Sequence, residues 1–380
     1  MKIAHLCLSN WYADNFGYQE NELVAQNVKD GHQVIVIAST ETFDANMKSV
    51  FIKGGEYLGS DGAQVIRVEY SRWLPMKIMR KLRMHKNIVG LLDSINPDVI
   101  FFHGTCGWEL KTAAAFKERH PAVKLYVDCH EDFTNSARTF ISKWILHFCY
   151  YKPILHYSIK SIEKILCVNL GAIDFMKDFY RVPVKMLEFY PLGGRLVDSS
   201  TYSELRKKTR SEYGVGNSDL VFFQSGKFDK TKKLIESLKA FSEQRFDDSV
   251  YLVAGIIYDE IADEFNIQLK SDSRIRFLGW QSTNNLRALL CAADIYVQPG
   301  LQSATMQMSL CCRCVVILAD VPSHKPYLDN NGWLVGENTT LSEAFQRAEI
   351  CRNNLAAMSE SSARIAEKLL DYRNLAARIY

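Results

Sequence analysis

Short apolar runs separated by helix-length amphipathic stretches recur along the chain. This alternation restricts the fold more than any other feature. "KIAHLCL" (Lys2 to Leu8) ends in a polar loop. "QENELVAQNVKDGH" then has helical spacing, with Gly31 as a helix stop, and "QVIVIAS" follows as a second buried strand. Strand, helix and strand within about 40 residues make a βαβ unit, which implies a parallel sheet. The runs "AQVIRV", "DVIFFHG", "KLYVDCH", "KILCVN" and "VKMLEF" continue the pattern to Phe189. A Pro/Gly turn, "YPLGGRLVDSS" (Tyr190 to Ser200), is the expected linker. After the polar helix "YSELRKKTRSEYG" the alternation restarts with "DLVFFQSG", "SVYLVAG", "RIRFLGW", "DIYVQPG" and "CVVILAD". The expected fold is α/β, with two Rossmann-like doubly wound domains facing across a cleft. The expected boundaries are 1–190 and 191–365, followed by a C-terminal helix over 366–380 that packs back on the first domain. The cleft is expected to close by hinge motion near Tyr190 to Arg195.

Composition narrows the function. A chain of 380 residues suits two domains, and 47% hydrophobic with 23% charged residues suits a globular protein. A net charge of +3 implies no general attraction to nucleic acid. No apolar run reaches the roughly 18 residues of a membrane span. The start "MKIAHLCLSNWYADN" has no long apolar core and no small-residue cleavage site, so it is not read as a signal peptide. Ten scattered cysteines fit reduced, buried thiols, and the expected location is the cytoplasm.

In open α/β sheets, ligands sit at the carboxyl ends of the strands. In the first domain these ends carry "SNWYADNFGYQEN", with Gly17, Tyr18 and Gln19 before and at a helix start. A glycine there lets a ligand approach the backbone, and the helix N-terminus favours an anion or a sugar hydroxyl. "DVIFFHG" delivers His103 and Gly104. "KLYVDCHEDF" delivers Asp128, His130, Glu131 and Asp132. A His among carboxylates can act as a base or as a neutral hydrogen-bond donor. The bland alternative is a set of helix caps. In the second domain "FFQSGKFDKTKKLIESL" places Gly226 at the strand end, Lys227 after it, and Lys232 and Lys233 at the start of the helix. Two lysines across a glycine turn form a diphosphate cradle, helped by backbone amides and the helix dipole. The alternative is two solvated lysines. No Walker A pattern occurs. Cys311 and Cys314 form a single knuckle-like pair without a second half, so buried thiols are expected there.

The segment "RVEYSRWLPMKIMRKLRMHKN" holds Arg67, Arg72, Lys77, Arg80, Lys81, Arg83 and Lys86, interleaved with Trp73, Leu74, Met76, Ile78, Met79 and Leu82. It suits a surface lying on anionic lipid, or an amphipathic core helix with a solvated basic face. The aromatic and basic run "SKWILHFCYYKPILHYSIK" adds weight to membrane contact.

"SGKFDKTKKLIESLKAF", "IRFLGW", "LRALLCAADIYVQPG" and "CVVIL" follow one another in the order that family 4 retaining glycosyltransferases use. The chain resembles that family, which has the GT-B fold. Its pattern there is G-R-x-x-x-x-K-G, F-x-G, a-D-x-x-v-x-P-S and a Glu-x7-Glu loop and helix. "DGHQVIVIAS" is similar to its G-H-e-V strand entry, and "KMLEFYPLGG" to its linker. The resemblance implies that Lys227 stands for the family's Arg and Lys232 for its Lys, both binding the nucleotide diphosphate. His130 stands near the active-site His that touches the donor sugar. These three are the expected catalytic residues. Gly17, Gly226, Ser303, Ala304 and Thr305 are expected to bind the nucleotide sugar. Gln307 replaces the second family Glu, which binds ribose, and Gln302 substitutes for the first. Tyr18, Gln19, His103 and Glu131 are expected to bind the acceptor.

The implied reaction moves a sugar from a nucleotide-diphosphate sugar to a glycan or lipid-linked acceptor with retention. No D-x-D motif occurs, so neither an obligatory metal nor a cofactor is expected. The implied setting is cell-envelope polysaccharide or glycolipid synthesis, peripheral on the inner face of the membrane through 67–86. Two alternatives share the fold. One is a nucleotide-sugar epimerase using Glu131 and Asp132. The other is a degenerate nucleotide-sugar-binding subunit, because both family glutamates are replaced.

Overall fold

The computed structural model describes residues 1–44, 48–246, 248–300 and 303–380. They divide into two compact units, Met1–Pro191 with Tyr372–Tyr380, and Leu192–Asp371. The strands of the first unit are β1 (Lys2–Cys7), β2 (Gln33–Ser39), β3 (Glu41–Phe43), β4 (Ser49–Phe51), β5 (Gly55–Leu58), β6 (Gln64–Val68), β7 (Val99–Phe102), β8 (Lys124–Cys129), β9 (Lys164–Cys167) and β10 (Leu187–Phe189). β3 and β4 pair as a small antiparallel hairpin. The other eight form one sheet in the order β10-β9-β8-β7-β1-β2-β6-β5. It is parallel throughout except for β5 against β6. β1 and β7 are buried almost end to end, as strands covered on both faces must be.

The crossovers are α1 (Gln19–Lys29), α2 (Met76–Leu82), α3 (Ile88–Ile95), α4 (Trp108–Arg119), a π-helix over Ile141–Tyr151 that runs into α5 (Lys152–Ser158), and α6 (Leu170–Asp174). Strand order reverses between β1 and β7. That reversal is the topological switch point, where open α/β sheets bind ligands.

The second unit contains α7 (Ser199–Glu212), β11 (Leu220–Phe228), α8 (Leu234–Ser242), β12 (Ser249–Ile257), α9 (Asp259–Ser271), β13 (Ile275–Phe277), α10 (Thr283–Ala292), β14 (Ile295–Gln298), α11 (Ala304–Cys311), β15 (Val315–Ala319), β16 (Gly332–Val335), α12 (Leu341–Ile350) and α13 (Leu355–Leu369). Its sheet runs β13-β12-β11-β14-β15-β16, all parallel, with the switch point between β11 and β14. α7 is tied to the start of β14 by charge. Arg206 and Arg210 both pair with Asp294, and Asp294 also accepts the Val221 amide at 2.8 Å. Arg210 is almost fully buried, so removing Asp294 would leave an uncompensated buried cation.

The chain returns to the first unit at Tyr372, where α14 (Tyr372–Ala377) begins. The Tyr190 hydroxyl donates to the Leu375 carbonyl at 2.9 Å, and Lys124 Nζ donates to the Tyr380 carbonyl at 2.8 Å. Among the described residues, no helix is long and apolar enough to cross a membrane.

The basic segment departs from a uniformly exposed cationic surface. Arg67 lies in β6 and is buried, paired with Asp14 at 2.7 Å and bonded to the Tyr12 carbonyl at 2.8 Å. Arg80 is engaged by the buried carboxylate of Glu41. Arg83 turns inward to Ser9 Oγ. Burying a guanidinium requires pairing or hydrogen bonding, and this loop-rich strand end supplies both. What does face outward is Trp73 at 85% exposure, with Leu74, Met76 and Ile78, beside Lys77 and Lys81. Phe140, Ile141, Trp144, Ile145 and Phe148 on and before the π-helix are also exposed. The two elements are joined, since Tyr150 donates to the Leu82 carbonyl at 3.0 Å and Tyr151 to that of Lys81.

Candidate functional site

At the first switch point the loops after β1 and β7 touch. Gly104 has φ +96°, and a Cβ there would lie 2.8 Å from Ser9 Oγ, so only glycine fits. Behind this contact runs a buried polar chain. His130 Nε2 lies 3.5 Å from Asp128 Oδ2. The same carboxylate bonds His103 Nδ1 at 2.6 Å and accepts the Gly104 amide at 2.6 Å. His103 Nε2 meets His5 Nδ1 at 2.9 Å, and His5 Nε2 meets Asn27 Oδ1 at 2.8 Å.

The electrostatics follow from this geometry. Burial acts to raise the Asp128 carboxyl, but His103 and His130 override it and hold it well below the usual carboxylate range. Burial acts to lower His130, but the Asp128 carboxylate overrides it and holds the imidazole up to about 9. The raised value favours the imidazolium at neutral pH, and among the described residues its buried Nε2 has no hydrogen-bond partner. In that form it is suited to donate a proton or hydrogen bond rather than to take up a proton. Burial and the neighbouring His103 push His5 down to about 3.

His103 does not line a ligand site. It is fully buried and both ring nitrogens are engaged within the fold, so it positions Asp128. Glu131 is buried, accepts from Thr105 Oγ1 at 3.2 Å, and lines a cavity of about 650 Å³ at the same strand ends. Asp132 takes no part in that cavity. It accepts the Thr134 amide at 2.8 Å and that of Asn135 at 3.1 Å, capping its own loop, which removes one of the two carboxylates an epimerase would need.

Gly17 and Tyr18 precede α1, and a Cβ on Gly17 would meet nothing nearer than Glu22 Oε1 at 3.8 Å. Space above the backbone is open there. Tyr18 is exposed and its ring stacks on Phe16 with centroids 5.4 Å apart. Gln19 opens α1. Its side chain is buried, and neither its amide nitrogen nor its oxygen has a partner among the described residues. A buried amide with both ends unmatched is costly until something meets it.

The second switch point is built the same way. β11 does not stop at Gly226. The ladder continues through Gly226↔Gly255, Lys227↔Ile256 and Phe228↔Ile257, because two facing glycines allow close approach. A 3₁₀ turn follows over Lys230–Lys232, and α8 opens at Leu234, after Lys233 in the left-handed region at φ 53°. Lys232 therefore sits in the turn, ahead of the helix. Asp229 Oδ1 holds the turn by accepting the Thr231 amide at 3.0 Å, and Gln224 Nε2 holds the Lys232 carbonyl at 3.1 Å. Across from it lies Gly300, after β14. A Cβ there would lie 2.4 Å from the Thr231 carbonyl and 3.0 Å from Lys232 Cα. Close packing thus brings the β14 loop to the lysine turn. Lys227 is exposed and Lys232 half-buried, and among the described residues neither ammonium forms an ion pair.

Ser303 caps α11, accepting the Met306 amide at 3.3 Å and donating to Gln298 Oε1 at 3.0 Å. Ala304 and Thr305 form the first turn, leaving their amides at the helix N-terminus. Gln302 lies outside the described residues. Gln307 is deeper than a residue facing open solvent. It is 1% exposed, its Nε2 donates to the Tyr327 hydroxyl at 2.8 Å, and its buried Oε1 has no partner among the described residues.

Sequence reasoning did not place Arg83, Arg138 or Trp11 at the site, yet all three line the 650 Å³ cavity. Arg83 was visible only as one of several basic residues in a row. The signal that separates it, the left-handed φ of 52° at the end of α2, is conformational.

Residues 206–365 match the family model described as glycosyl transferases group 1. No curated protein matches the sequence significantly. Among solved structures, Anabaena HepE in complex with UDP is 14% identical with a TM-score of 0.67, over 100% of this chain and 98% of that one. WaaG, a glycosyltransferase involved in lipopolysaccharide biosynthesis, is 15% identical with a TM-score of 0.62, over 99% and 98%. The catalytic domain of starch synthase IV from Arabidopsis thaliana, bound to ADP and acarbose, is 13% identical with a TM-score of 0.61, over 100% and 99%. At such identities the likeness shows the fold, which is GT-B. The matched residues, 206–365, include the second switch point, within a chain that has the GT-B fold.

Proposed function

We propose that the chain transfers a sugar from a nucleotide-diphosphate donor to an acceptor hydroxyl, with retention, in cell-envelope polysaccharide or glycolipid synthesis. The observation that carries this reading is the lysine turn. Two ammonium groups that form no ion pair among the described residues stand at a switch point, on a turn whose backbone packs against Gly300, inside the segment that matches the family model. Lys227 and Lys232 hold the diphosphate and stabilise charge on it as it leaves. The amides of Ser303, Ala304 and Thr305 and the space above Gly226 face the nucleotide sugar, and Gln307 meets the ribose.

In the transfer, the bond from the anomeric carbon to the phosphate oxygen breaks. The acceptor oxygen bonds to the same face, and its proton passes to the leaving diphosphate. This route needs no strong base beside the acceptor, and it requires no metal. His130, as an imidazolium, donates to the donor sugar or to the leaving group. HepE and starch synthase IV were solved with UDP and ADP, so uracil and adenine donors are the first to test.

The exposed apolar side chains of α2 and the π-helix, with Lys77, Lys81 and Lys143 between them, suit a peripheral contact with an anionic membrane face. Nucleotide sugars screened by thermal shift, then assayed for hydrolysis and transfer, test the reading. A donor at 100-fold its dissociation constant should add about 2.7 kcal/mol of stability. Stabilisation by no nucleoside diphosphate or nucleotide sugar would defeat it. Binding without turnover would leave a nucleotide-sugar-binding subunit.

A further inference from the structure

The cavity at the first switch point carries more positive charge than its own acids answer. Five basic residues line it against two carboxylates, Glu41 and Glu131. Glu41 is already engaged by Arg80, by the Tyr70 hydroxyl at 3.0 Å and by Ser49 Oγ at 2.9 Å. That leaves Glu131 facing Arg83, Lys77, Lys81 and Arg138. Arg83 is seated by construction. A Cβ on Gly107 would lie 2.7 Å from Arg83 Cβ, and its guanidinium lies 5.8 Å from the centroid of the Tyr151 ring. Among the described residues it donates to one protein acceptor, Ser9 Oγ, which leaves most of its fork available. Lys77, Lys81 and Arg138 are exposed, and none forms an ion pair among the described residues.

The walls of the same cavity lead to the apolar patch. Lys77 and Lys81 belong to α2, and Ser142 and Leu146 to the π-helix. Those two elements also expose Met76 and Ile78, and Ile141 and Ile145. We infer that this cavity is a phosphate subsite for a lipid-linked acceptor, with the phosphate ester on Arg83, Lys77, Lys81 and Arg138 and the hydrocarbon chain along the exposed apolar side chains of α2 and the π-helix. A phosphate or diphosphate linking a lipid to a sugar carries one or two negative charges and offers several oxygens for charge-assisted bonds to the four cations. A single carboxylate would leave most of them unanswered. The inference rests on the glycosyltransferase reading, because it names the acceptor of that reaction.

The test uses a fifteen-carbon prenyl monophosphate, the matching alcohol and inorganic phosphate, each titrated into the full chain below the lipid's micelle concentration. Tryptophan emission reports binding, since Trp11 lines the cavity. The prenyl phosphate is expected to bind at least tenfold more tightly than either the alcohol or inorganic phosphate. Arg83→Gln should weaken it at least tenfold. If that variant does not fold, the exposed pair Lys81→Ala with Arg138→Gln decides, with the same expected loss. Equal binding of the alcohol overturns the phosphate subsite, and equal binding of inorganic phosphate overturns the lipid. Wild-type affinity in the substituted chains overturns the residues named. UDP titrated into the wild type separates this from the parent reading. UDP binding without prenyl phosphate binding defeats the subsite alone. Prenyl phosphate binding in a chain that takes up no nucleotide strikes the transferase reading and leaves the subsite standing.

Discussion

At one switch point Gly104 lies against Ser9, and at the other Gly300 lies against Thr231 and Lys232. In both units a residue without a side chain lets two strand-end loops meet where the sheet order reverses. The groups held there differ. The first unit fixes charge inside the protein: Asp128 is buried between His103 and His130, and Arg83 and Glu131 are at the cavity wall. The second offers two lysines that form no ion pair among the described residues, together with hydroxyls and backbone amides. Of its carboxylates, Asp229 and Glu260 accept backbone amides of the turn, and Asp294 pairs with two arginines. A buried ionised network must be completed before a ligand arrives, because an unpaired buried charge costs several kcal/mol. An exposed ammonium stays hydrated until the phosphate comes. The first unit is thus preset in geometry and protonation, and under the proposed function the second is completed by its ligand.

That contrast can be broken most sharply at His130. His130→Gln keeps a donor of similar size but loses the charge, and turnover should fall roughly 10²- to 10³-fold, as for loss of one preorganised donor. Single-turnover rates with a saturating donor measure it. A rate within threefold of wild type would place the His130 network outside the chemistry.

Next come the lysines. Lys227→Ala and Lys232→Ala should each weaken UDP binding by about 1.5–3 kcal/mol, the range for a bond to a charged group. Calorimetric titration should also show the loss shrinking in high salt for exposed Lys227 more than for half-buried Lys232. Unchanged affinity in both would remove the diphosphate from the second switch point.

The pH dependence of stability tests the first unit without any ligand. His130 is raised to about 9 from an unfolded value near 6.5. Its contribution is fully present below pH 6.5 and is lost as pH rises through about 9. The loss should be roughly 1–3 kcal/mol, trimmed by screening because the side chain is 27% exposed. His5 has the opposite sign. Held down to about 3, it favours folding above pH 6.5, and that share is lost as pH falls through 3. Urea unfolding at pH 6 and pH 9 should show the alkaline loss in the wild type and its absence in His130→Gln. A loss of the same size in both chains would detach it from this pair.

The sheets were legible because parallel strands buried on both faces read as continuous apolar runs, and the crossovers between them have helical period. The lysine turn was legible because charge stood next to glycine at a strand end. Residue roles in the first unit were not. His103 occupies a strand end like any ligand residue, but His5, 98 positions away, takes its second nitrogen. Arg80 and Arg83 share a basic row with Lys77 and Lys81, and nothing in the row says which turn inward. Glu41 and Ser9 decide that from other strand ends. Such choices are tertiary, made between residues far apart in the chain.

The smallest expected effect lies at Gln307, and it sharpens the comparison because its Oε1, like Ser225 Oγ, is a buried polar atom that has no partner among the described residues. Gln307→Ala removes both amide ends. The chain loses the bond to the Tyr327 hydroxyl, and a bound nucleotide loses an acceptor, so affinity should drop by about 0.5–1.5 kcal/mol. Gln307→Glu acts differently on the free and bound states. A carboxylate in a place 1% exposed should destabilise the free chain by roughly 1–3 kcal/mol, while ribose hydroxyls would supply the donors it lacks. The stabilisation gained on adding UDP should therefore be largest in Gln307→Glu, intermediate in the wild type and smallest in Gln307→Ala. Thermal shifts at matched multiples of each dissociation constant would hide this ordering, so they must be taken at one fixed UDP concentration. Identical shifts in all three chains would mean that no ligand donor reaches Oε1 and that the second switch point, like the first, carries a buried group that serves the fold alone.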